Sequence, residues 1–157
     1  MNWDAVGAVA ELLGALGVII TLAYLATQIR QNTQTVRAQG AASQFSAQSS
    51  VGLLLAQDDV ISELYFRGLE RFSSLSDAEK RRFLSTIGLH VSGLQQSFYL
   101  RQEQALSDDQ WDQVERDIHW LSAKEGFIAY MQQYGPQYSP NFQHHVDEQI
   151  RSSQTGT

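Results

Sequence analysis

The stretch LLGALGVIITLAYLATQI, residues 12–29, decides the fold expected of this chain, because its 18 positions hold no charged side chain. Extended back to Ala5, the apolar run reaches Ala26 and contains 22 residues, of which only Glu11 is charged. A helix that rises about 1.5 Å per residue spans roughly 33 Å over this length, enough to cross the roughly 30 Å hydrocarbon core of a bilayer. The sequence therefore predicts a transmembrane helix over residues 1–27.

Two other interpretations of this segment are a buried helix of a soluble protein and a cleaved secretory signal. Buried helices are usually shorter, and Trp3 and Tyr24 lie near the two ends of the run, where membrane helices favour aromatic side chains. The start of the chain, Met1–Asp4, carries an acid and no Lys or Arg. A signal peptide is expected to begin with positive charge, so the transmembrane interpretation is the preferred one.

The charges that flank the apolar run predict its orientation. Arg30 and Arg37 follow the run, and no acid occurs after it before Asp58. The cytoplasmic flank of a membrane helix holds the excess of Lys and Arg. We therefore expect the N-terminus on the outer side of the membrane and the C-terminal part of the chain in the cytoplasm.

Small residues recur along one face of this helix in alternating steps of three and four. In lipid, helices associate by close backbone approach across such residues rather than by a hydrophobic effect. The pattern predicts a helix–helix interface, with a second copy or with another membrane protein; the alternative is the general abundance of Gly and Ala in membrane helices. This small-residue stripe consists of Gly7, Ala10, Gly14, Gly17 and Thr21.

Glu11 is the one acid inside the apolar run. An acid within a bilayer is costly and is by default a functional candidate, here a proton or cation site. Glu11 lies only about 9 Å beyond Ala5 at the helical rise, so its carboxylate can also reach the membrane interface. The interfacial position is the simpler interpretation.

The rest of the chain predicts helices only. Residues 28–57 are rich in Gln, Ala and Ser and contain no Pro, which indicates a juxtamembrane helix with small residues between 38 and 52; a flexible linker is the alternative. Residues 58–152 predict a cytoplasmic helical domain, and residues 153–157 a tail. Because no segment alternates with a period of two residues, the expected fold class is all-α, with a small antiparallel helical bundle after the two N-terminal segments.

Capping residues predict where the later helices begin and end. Asp58 or Asp59 caps the first, Gly135-Pro136 ends the fourth, and Ser139-Pro140 opens the last. Capping-box patterns predict three more helix starts, at Ser76–Glu79, Ser107–Gln110 and Ser122–Glu125.

Aromatic residues are concentrated between residues 111 and 142. Their helical spacing is typical of core residues. The same residues are candidates for a ligand pocket or for a partner-binding surface, since Trp and Tyr are favoured interface anchors. The candidates are Trp111, Trp120, Phe127, Tyr130 and Tyr134.

Other polar residues offer weaker candidates. His144 and Glu148 are four residues apart and share a helix face, and His145 is adjacent, so these three could contribute metal ligands; a solvated helix face is the simpler interpretation. His90 fits a core or edge position better than a catalytic base. The basic cluster Lys80-Arg81-Arg82 could contact anionic lipid or form a solvated face.

Composition excludes several function classes. The chain has no Cys, so disulfides, thiolate metal sites and Cys nucleophiles are excluded. Lys and Arg number 11 and Asp and Glu 17, a net charge of −6, which argues against nucleic acid as a partner. No phosphate-binding loop, dinucleotide fingerprint, zinc-protease motif or nucleophile elbow occurs, so we expect no cofactor and no catalytic residues.

The run YLATQIRQNT, Tyr24–Thr33, resembles a set of uncharacterised proteobacterial single-pass membrane proteins, in which an apolar N-terminal helix leads into a similar stretch. The segments around Phe127 and Ser139–Phe142 are also similar to their C-terminal part. Relatives often carry a Trp pair near the place of Ala129-Tyr130, so this chain departs from them there. The resemblance implies a single-pass protein of the bacterial inner membrane and implies no activity.

Three functions are consistent with these patterns. The first is a non-enzymatic inner-membrane protein that acts by assembly, as a homo-oligomer or as an accessory subunit of a larger membrane complex. The second is a membrane-tethered sensor or small-molecule binding module that uses the aromatic helices between 111 and 142. The third, supported only by His144, His145 and Glu148, is a metal-dependent enzyme.

Overall fold

A computed structural model describes the backbone of residues 3–155 and, within that range, the side chains other than those of residues 3–10, 12, 37, 41 and 43–50. The described residues are helical throughout apart from short connections, and they contain no strand. The all-α prediction is therefore confirmed. The helices are α1 (Trp3–Gln57), α2 (Asp59–Glu70), α3 (Asp77–Gln102), α4 (Asp108–Ser122), α5 (Glu125–Tyr134) and α6 (Pro140–Thr155), with 3₁₀ turns at Phe72–Ser74 and Gly135–Gln137.

The chain divides into two compact units, one ending at Ala38 and one formed by Gln39–Thr157. In the first unit α1 is the only element. Its segment Leu13–Gly40 is long and apolar enough to cross a membrane, and none of its most apolar stretch is buried against the rest of the chain. The two parts of α1 therefore differ in environment, because in the second unit Gly40 and Val51 are buried.

The starts of α2, α3 and α4 confirm the predicted capping. The Asp58 carboxylate accepts hydrogen bonds from the backbone N–H groups of Val60 and Ile61, at 2.9 and 3.0 Å. Complete capping boxes open α3 at Ser76 and α4 at Ser107. Each such cap satisfies N–H groups that have no partner within their own helix.

The third predicted capping box was wrong. Ser122 is the last residue of α4 rather than a cap of α5, and it is fully buried with its hydroxyl donating to the Ile118 carbonyl at 2.7 Å. The residue that precedes α5 is Lys124, whose side chain makes no capping bond. Only two residues separate α4 from α5, so the residue predicted to cap α5, Ser122, still belongs to α4.

The end of α5 and the start of α6 lie where the sequence predicts them. Helix α5 ends at Tyr134, the segment Gly135–Gln137 forms a 3₁₀ turn, and Pro140 is the first residue of α6. Gly135 has φ −47°, so it ends the helix without the left-handed conformation that glycine often supplies there. Helix α6 continues through the first three residues of the expected tail, as far as Thr155.

The core of the second unit is built from all of α2 to α6. Helix pairs α4–α6, α2–α3 and α2–α5 make the most extensive contacts. Apolar residues at helical spacing supply one face each, as the sequence pattern indicates. The fully enclosed core side chains are Phe83, Ile87, Val91, Ile118, Leu121, Phe127, Phe142 and Val146.

Two glycines allow α2 and α5 to approach at backbone distance. A side-chain carbon added at Gly126 would overlap the Gly68 carbonyl and the Phe83 ring. A carbon added at Gly68 would overlap the same ring. The Phe83 side chain, fully buried, thus fills the space next to both glycines, and no larger residue fits at either position.

We predict that Gly126→Ala destabilises the second unit by about 3 kcal/mol, because overpacking a filled core forces backbone shifts. Gly52→Ala is the matched control, since a carbon added at Gly52 meets nothing within 4 Å. The control should be neutral or stabilising by up to about 1 kcal/mol, as expected for Gly→Ala in a helix. Denaturant unfolding of the full chain in detergent, followed by Trp fluorescence, measures both; equal stability of the two variants would contradict the close approach.

Candidate functional site

The described members of the small-residue stripe lie on exposed backbone of α1. Gly14, Gly17 and Thr21 are all exposed, and a carbon added at either glycine meets nothing within 4 Å. The Thr21 hydroxyl donates to the Gly17 carbonyl at 2.8 Å, so its polarity is satisfied within the helix. Gly7 and Ala10 lie outside the residues whose side chains the structure describes, and Glu11 is exposed.

The five aromatic candidates do not share one surface. Trp111, Phe127 and Tyr130 are buried in the core. Trp120 is 44 % exposed, with the Lys124 ammonium 5.0 Å from its ring centroid. Tyr134 is half-buried and stacks on Tyr130 with ring centroids 5.0 Å apart. Tyr130 and Tyr134 are therefore the two candidates that the structure brings together.

These two tyrosines line a groove of about 680 Å³ between α3 and the segment formed by α5 and the turn after it. Along α3 the lining runs from Arg81 to Gln95, which is about 21 Å at the helical rise. We call it the tyrosine groove; its lining residues are Arg81, Leu84, Ser85, Gly88, Leu89, Ser92, Gln95, Tyr130, Tyr134, Gln137 and Tyr138.

Hydrogen bonding and stacking hold the phenol groups in place. The hydroxyls of Tyr130 and Tyr138 are 2.6 Å apart, so one donates to the other. Gly88 makes room for them, because a carbon added there would lie 2.9 Å from the Tyr130 hydroxyl oxygen. Burial, and then the hydrogen bond with Tyr138, raises the pKa of Tyr130 above its ordinary value of 10.0. The Tyr130 phenol therefore stays protonated at neutral pH. Because the two hydroxyls share one hydrogen bond, one hydroxyl of the pair can also donate elsewhere.

The groove offers hydrogen bonds, ring faces and one positive charge. Ser85 and Ser92 donate to backbone carbonyls of their own helix, at 3.0 and 2.8 Å, which leaves their oxygens able to accept. Arg81 is the only charged residue among the lining residues, and the groove contains no acid. Such a lining can hold a small molecule that stacks on tyrosine rings and is neutral or anionic.

The metal candidates separate into two pairs. The His144 imidazole Nε2 is 3.2 Å from a carboxylate oxygen of Glu148, and both side chains are well exposed. His145 instead packs on the Phe98 and Trp111 rings, and its Nε2 is 3.6 Å from a Glu115 carboxylate oxygen. Among the described residues no group of three or more His, Asp or Glu side chains is placed to hold a metal ion.

The structure also shows a polar chain that links α2, α3 and α4. The Tyr65 hydroxyl lies 2.7 Å from His90 Nδ1, and His90 Nε2 lies 2.8 Å from an Asp117 carboxylate oxygen. Burial, and then the charge of Asp117, raises the pKa of Tyr65 above its ordinary value of 10.0. A carboxylate accepts and a phenol hydroxyl can donate, so the His90 tautomer that satisfies both partners donates from Nε2 and accepts at Nδ1.

This polar chain is partly enclosed, and its members satisfy one another. Tyr65 is only 3 % exposed, and the His90 and Asp117 side chains are 16 and 23 % exposed. The sequence predicts a core or edge position for His90 but gives no signal for its partners. Tyr65 and Asp117 are 25 and 27 residues from His90, so only the packing of three helices brings them together.

We predict that Tyr65→Phe destabilises the second unit by about 1–2 kcal/mol, because it removes the donor to His90 Nδ1 while preserving the ring. Tyr99→Phe is the control, since Tyr99 is 42 % exposed and its hydroxyl meets only Gln95, at 3.4 Å. The control should change stability by less than about 0.5 kcal/mol. Thermal unfolding of both variants in the same detergent tests this, and a Tyr65→Phe variant as stable as the parent would show that the chain of bonds contributes nothing.

No family model, curated protein or solved structure matches this chain. Inference about its function therefore rests on the contacts and exposed surfaces described above.

Proposed function

We propose that this chain is a non-enzymatic protein of the bacterial inner membrane that acts by assembly, as a homo-oligomer or as an accessory subunit of a membrane complex. The observation that supports this most is the exposure of large apolar side chains along α1. Six of them are between 59 and 68 % exposed: Leu13, Val18, Ile19, Ile20, Leu22 and Ile29.

Water is an unfavourable environment for such a surface. Soluble monomers rarely expose contiguous apolar patches of more than a few hundred Å², and a helix that is apolar on all faces is typical of a membrane span. A lipid environment covers these side chains without any partner protein. The backbone is compatible with this, because a helix satisfies its own hydrogen bonds within the bilayer.

The small-residue stripe supports assembly in addition to anchoring. Leu and Ile faces of a membrane helix gain nothing from contact with each other over contact with lipid, whereas small residues permit backbone approach. Gly14 and Gly17 have open space above them, so a second helix can reach the α1 backbone there. The partner in this proposal is a second copy of the chain or a helix of another membrane protein.

The proposed topology places the N-terminus outside and the helical domain in the cytoplasm, where α2 to α6 form a small antiparallel bundle. Arg30, which follows the apolar run, is exposed and supports this orientation. The short connections between successive helices support antiparallel neighbours, since a short loop returns the chain beside the helix that it left.

We predict that Gly14→Leu and Gly17→Leu each weaken association of the full chain in mild detergent, because the leucine holds the facing backbone away. Neither change disturbs the fold of a single chain, since nothing lies within 4 Å of an added carbon. Ala15→Leu is the matched control, because it adds the same bulk next to Gly14 but off the stripe. Particle mass by light scattering should fall for the two glycine variants alone; an unchanged mass in both removes the stripe from the proposal.

Single-cysteine labelling tests the predicted orientation. Each introduced cysteine is the only thiol of its variant, because the chain has no Cys. Ser152→Cys lies on exposed α6 and should react with a membrane-impermeant maleimide only after spheroplasts are lysed. Asn2→Cys should react in intact spheroplasts. The reverse pattern would place the helical domain outside, and labelling of both residues only after lysis would contradict a membrane-crossing α1.

A second candidate function is a membrane-tethered module that binds a small molecule. The tyrosine groove favours it, because its size fits a small-molecule site and its phenols are fixed by mutual hydrogen bonding. Assembly and ligand binding use different parts of the chain, so either function can hold without the other.

We predict that aromatic acids or simple sugars, screened against the full chain by saturation-transfer NMR, give signals that Ser92→Phe abolishes. Ser92 is exposed and lines the groove, so a phenyl group there fills it. Gln96→Phe is the matched control, because Gln96 is exposed on the same helix but does not line the groove. If no compound distinguishes the two variants, the groove is not a binding site for these classes.

A further inference from the structure

A second depression lies between α2 and α3 and adjoins the tyrosine groove, with which it shares Arg81 and Ser85. Its volume is about 500 Å³. We call it the α2–α3 cleft; its lining residues are Asp58, Val60, Ile61, Leu64, Arg81, Arg82, Ser85 and Thr86. The residues contributed by α2 are mainly apolar, and those contributed by α3 are basic or carry hydroxyls.

Both arginines of the cleft lack an ionic partner. Among the described residues, no carboxylate lies within 4.0 Å of the Arg81 or Arg82 guanidinium, and both side chains are exposed. Elsewhere in the second unit, Arg67, Arg101 and Lys124 are each paired with a carboxylate, whereas Arg71, Arg116 and Arg151 are also without one among the described residues. Arg81 and Arg82 differ from these other unpaired arginines because they are adjacent and line one cleft together.

The one acid of the cleft is already occupied. Asp58 accepts two backbone hydrogen bonds at the start of α2, at 2.9 and 3.0 Å, and no basic side chain of the described residues pairs with it. Lys80, the third member of the basic cluster, points elsewhere, with its ammonium 5.6 Å from the Phe72 ring centroid. The charge that the cleft presents is therefore that of Arg81 and Arg82.

The apolar wall faces the same depression. Val60 is 66 % exposed, which is high for an apolar residue in the second unit, and Ile61 and Leu64 continue the wall toward the core. An inorganic anion would pair with the arginines but would leave Val60 in water. A neutral apolar molecule would cover Val60 but would leave the arginines unpaired. A molecule with an acyl chain and an anionic head satisfies both walls.

We propose that the α2–α3 cleft binds one anionic amphiphile, with its acyl chain against Val60 and its carboxylate or phosphate group on Arg81 and Arg82. The Ser85 and Thr86 hydroxyls line the same cleft, but each donates to a backbone carbonyl of α3, so Arg81 and Arg82 supply the donors to the head group. The proposal goes beyond the assembly role and does not depend on the small-residue stripe. Two sources share this chemistry, a membrane phospholipid with an anionic head group and a free fatty acid.

The test is native mass spectrometry of the full chain in a neutral detergent, with three probes added separately. They are dihexanoyl phosphatidylglycerol, dihexanoyl phosphatidylcholine and decanoate. We expect the chain to retain one molecule of phosphatidylglycerol, of decanoate or of both, at much lower concentration than phosphatidylcholine. Retention of the phospholipid alone or of decanoate alone identifies the source, and either result supports the proposal.

The double variant Arg81→Gln, Arg82→Gln should weaken retention of the anionic probe roughly thirtyfold, the factor expected when two basic side chains near an anionic group are lost. The matched control is Arg71→Gln, Arg116→Gln, which removes the same charge from exposed arginines outside the cleft. Because neither pair has an ionic partner in the described structure, both double variants should unfold at the parent's temperature.

A further variant, Val60→Ser, should weaken retention while leaving all charges in place, since Val60 is exposed and its loss opens no core cavity. Equal retention of phosphatidylcholine and the anionic probes would overturn the proposal. Equal retention by the two arginine double variants would overturn it as well, because lipid held along α1 would then account for the signal. Neither result would bear on association through Gly14 and Gly17, which light scattering measures separately.

Discussion

The close approach of α2 and α5 at Gly68 and Gly126 determines where α3 lies, because the Phe83 ring occupies the space that a side chain at either glycine would need. Helix α3 is thereby held against α2 on one side and α5 on the other. The two depressions that we describe are the consequence. The α2–α3 cleft opens beside α2, the tyrosine groove opens beside α5, and Arg81 and Ser85 line both of them.

Hydrogen bonds between side chains also restrict how α2, α3 and α4 pack against one another. The chain from Tyr65 through His90 to Asp117 joins three helices, and each group provides the donor or acceptor that its neighbour lacks. A buried polar group without such a partner costs about 1–3 kcal/mol, so a shifted register of any of the three helices is penalised. Apolar packing sets the strength of the fold, and this polar chain restricts which packing is adopted.

The sequence predicts the helices well because helix starts depend on local chemistry. Asp58, Ser76 and Ser107 each act on N–H groups two or three residues away, so their effect is visible in a short window. The pattern at Ser122 failed because local chemistry does not say whether the preceding helix has already ended. Gly68 and Gly126 gave no signal at all, since a glycine required for close approach looks like any other glycine until its neighbours are known.

The candidate sites also show that contacts between neighbouring residues can be predicted from the sequence, whereas contacts between distant helices cannot. His144 and Glu148 share a turn, and the structure pairs them as their spacing indicates. The tyrosine groove combines residues of α3 with residues some 40 positions later, so its membership was only partly foreseen, through Tyr130 and Tyr134. The α2–α3 cleft was foreseen only as a run of three basic residues, because the apolar wall opposite belongs to another helix.

The two units differ in how far their large apolar side chains are exposed. In the second unit many large apolar side chains are enclosed, although Val60, Leu53 and Leu89 are each more than half exposed. Along α1 from Leu13 to Ile29 the described large apolar side chains are exposed. A chain that can bury Phe83, Phe127 and Phe142 completely does not leave a helix of Leu, Ile and Val uncovered for lack of core-forming capacity. In the proposed membrane topology, acyl chains would cover the whole apolar segment, whereas the proposed protein partner would cover only the face that carries Gly14 and Gly17.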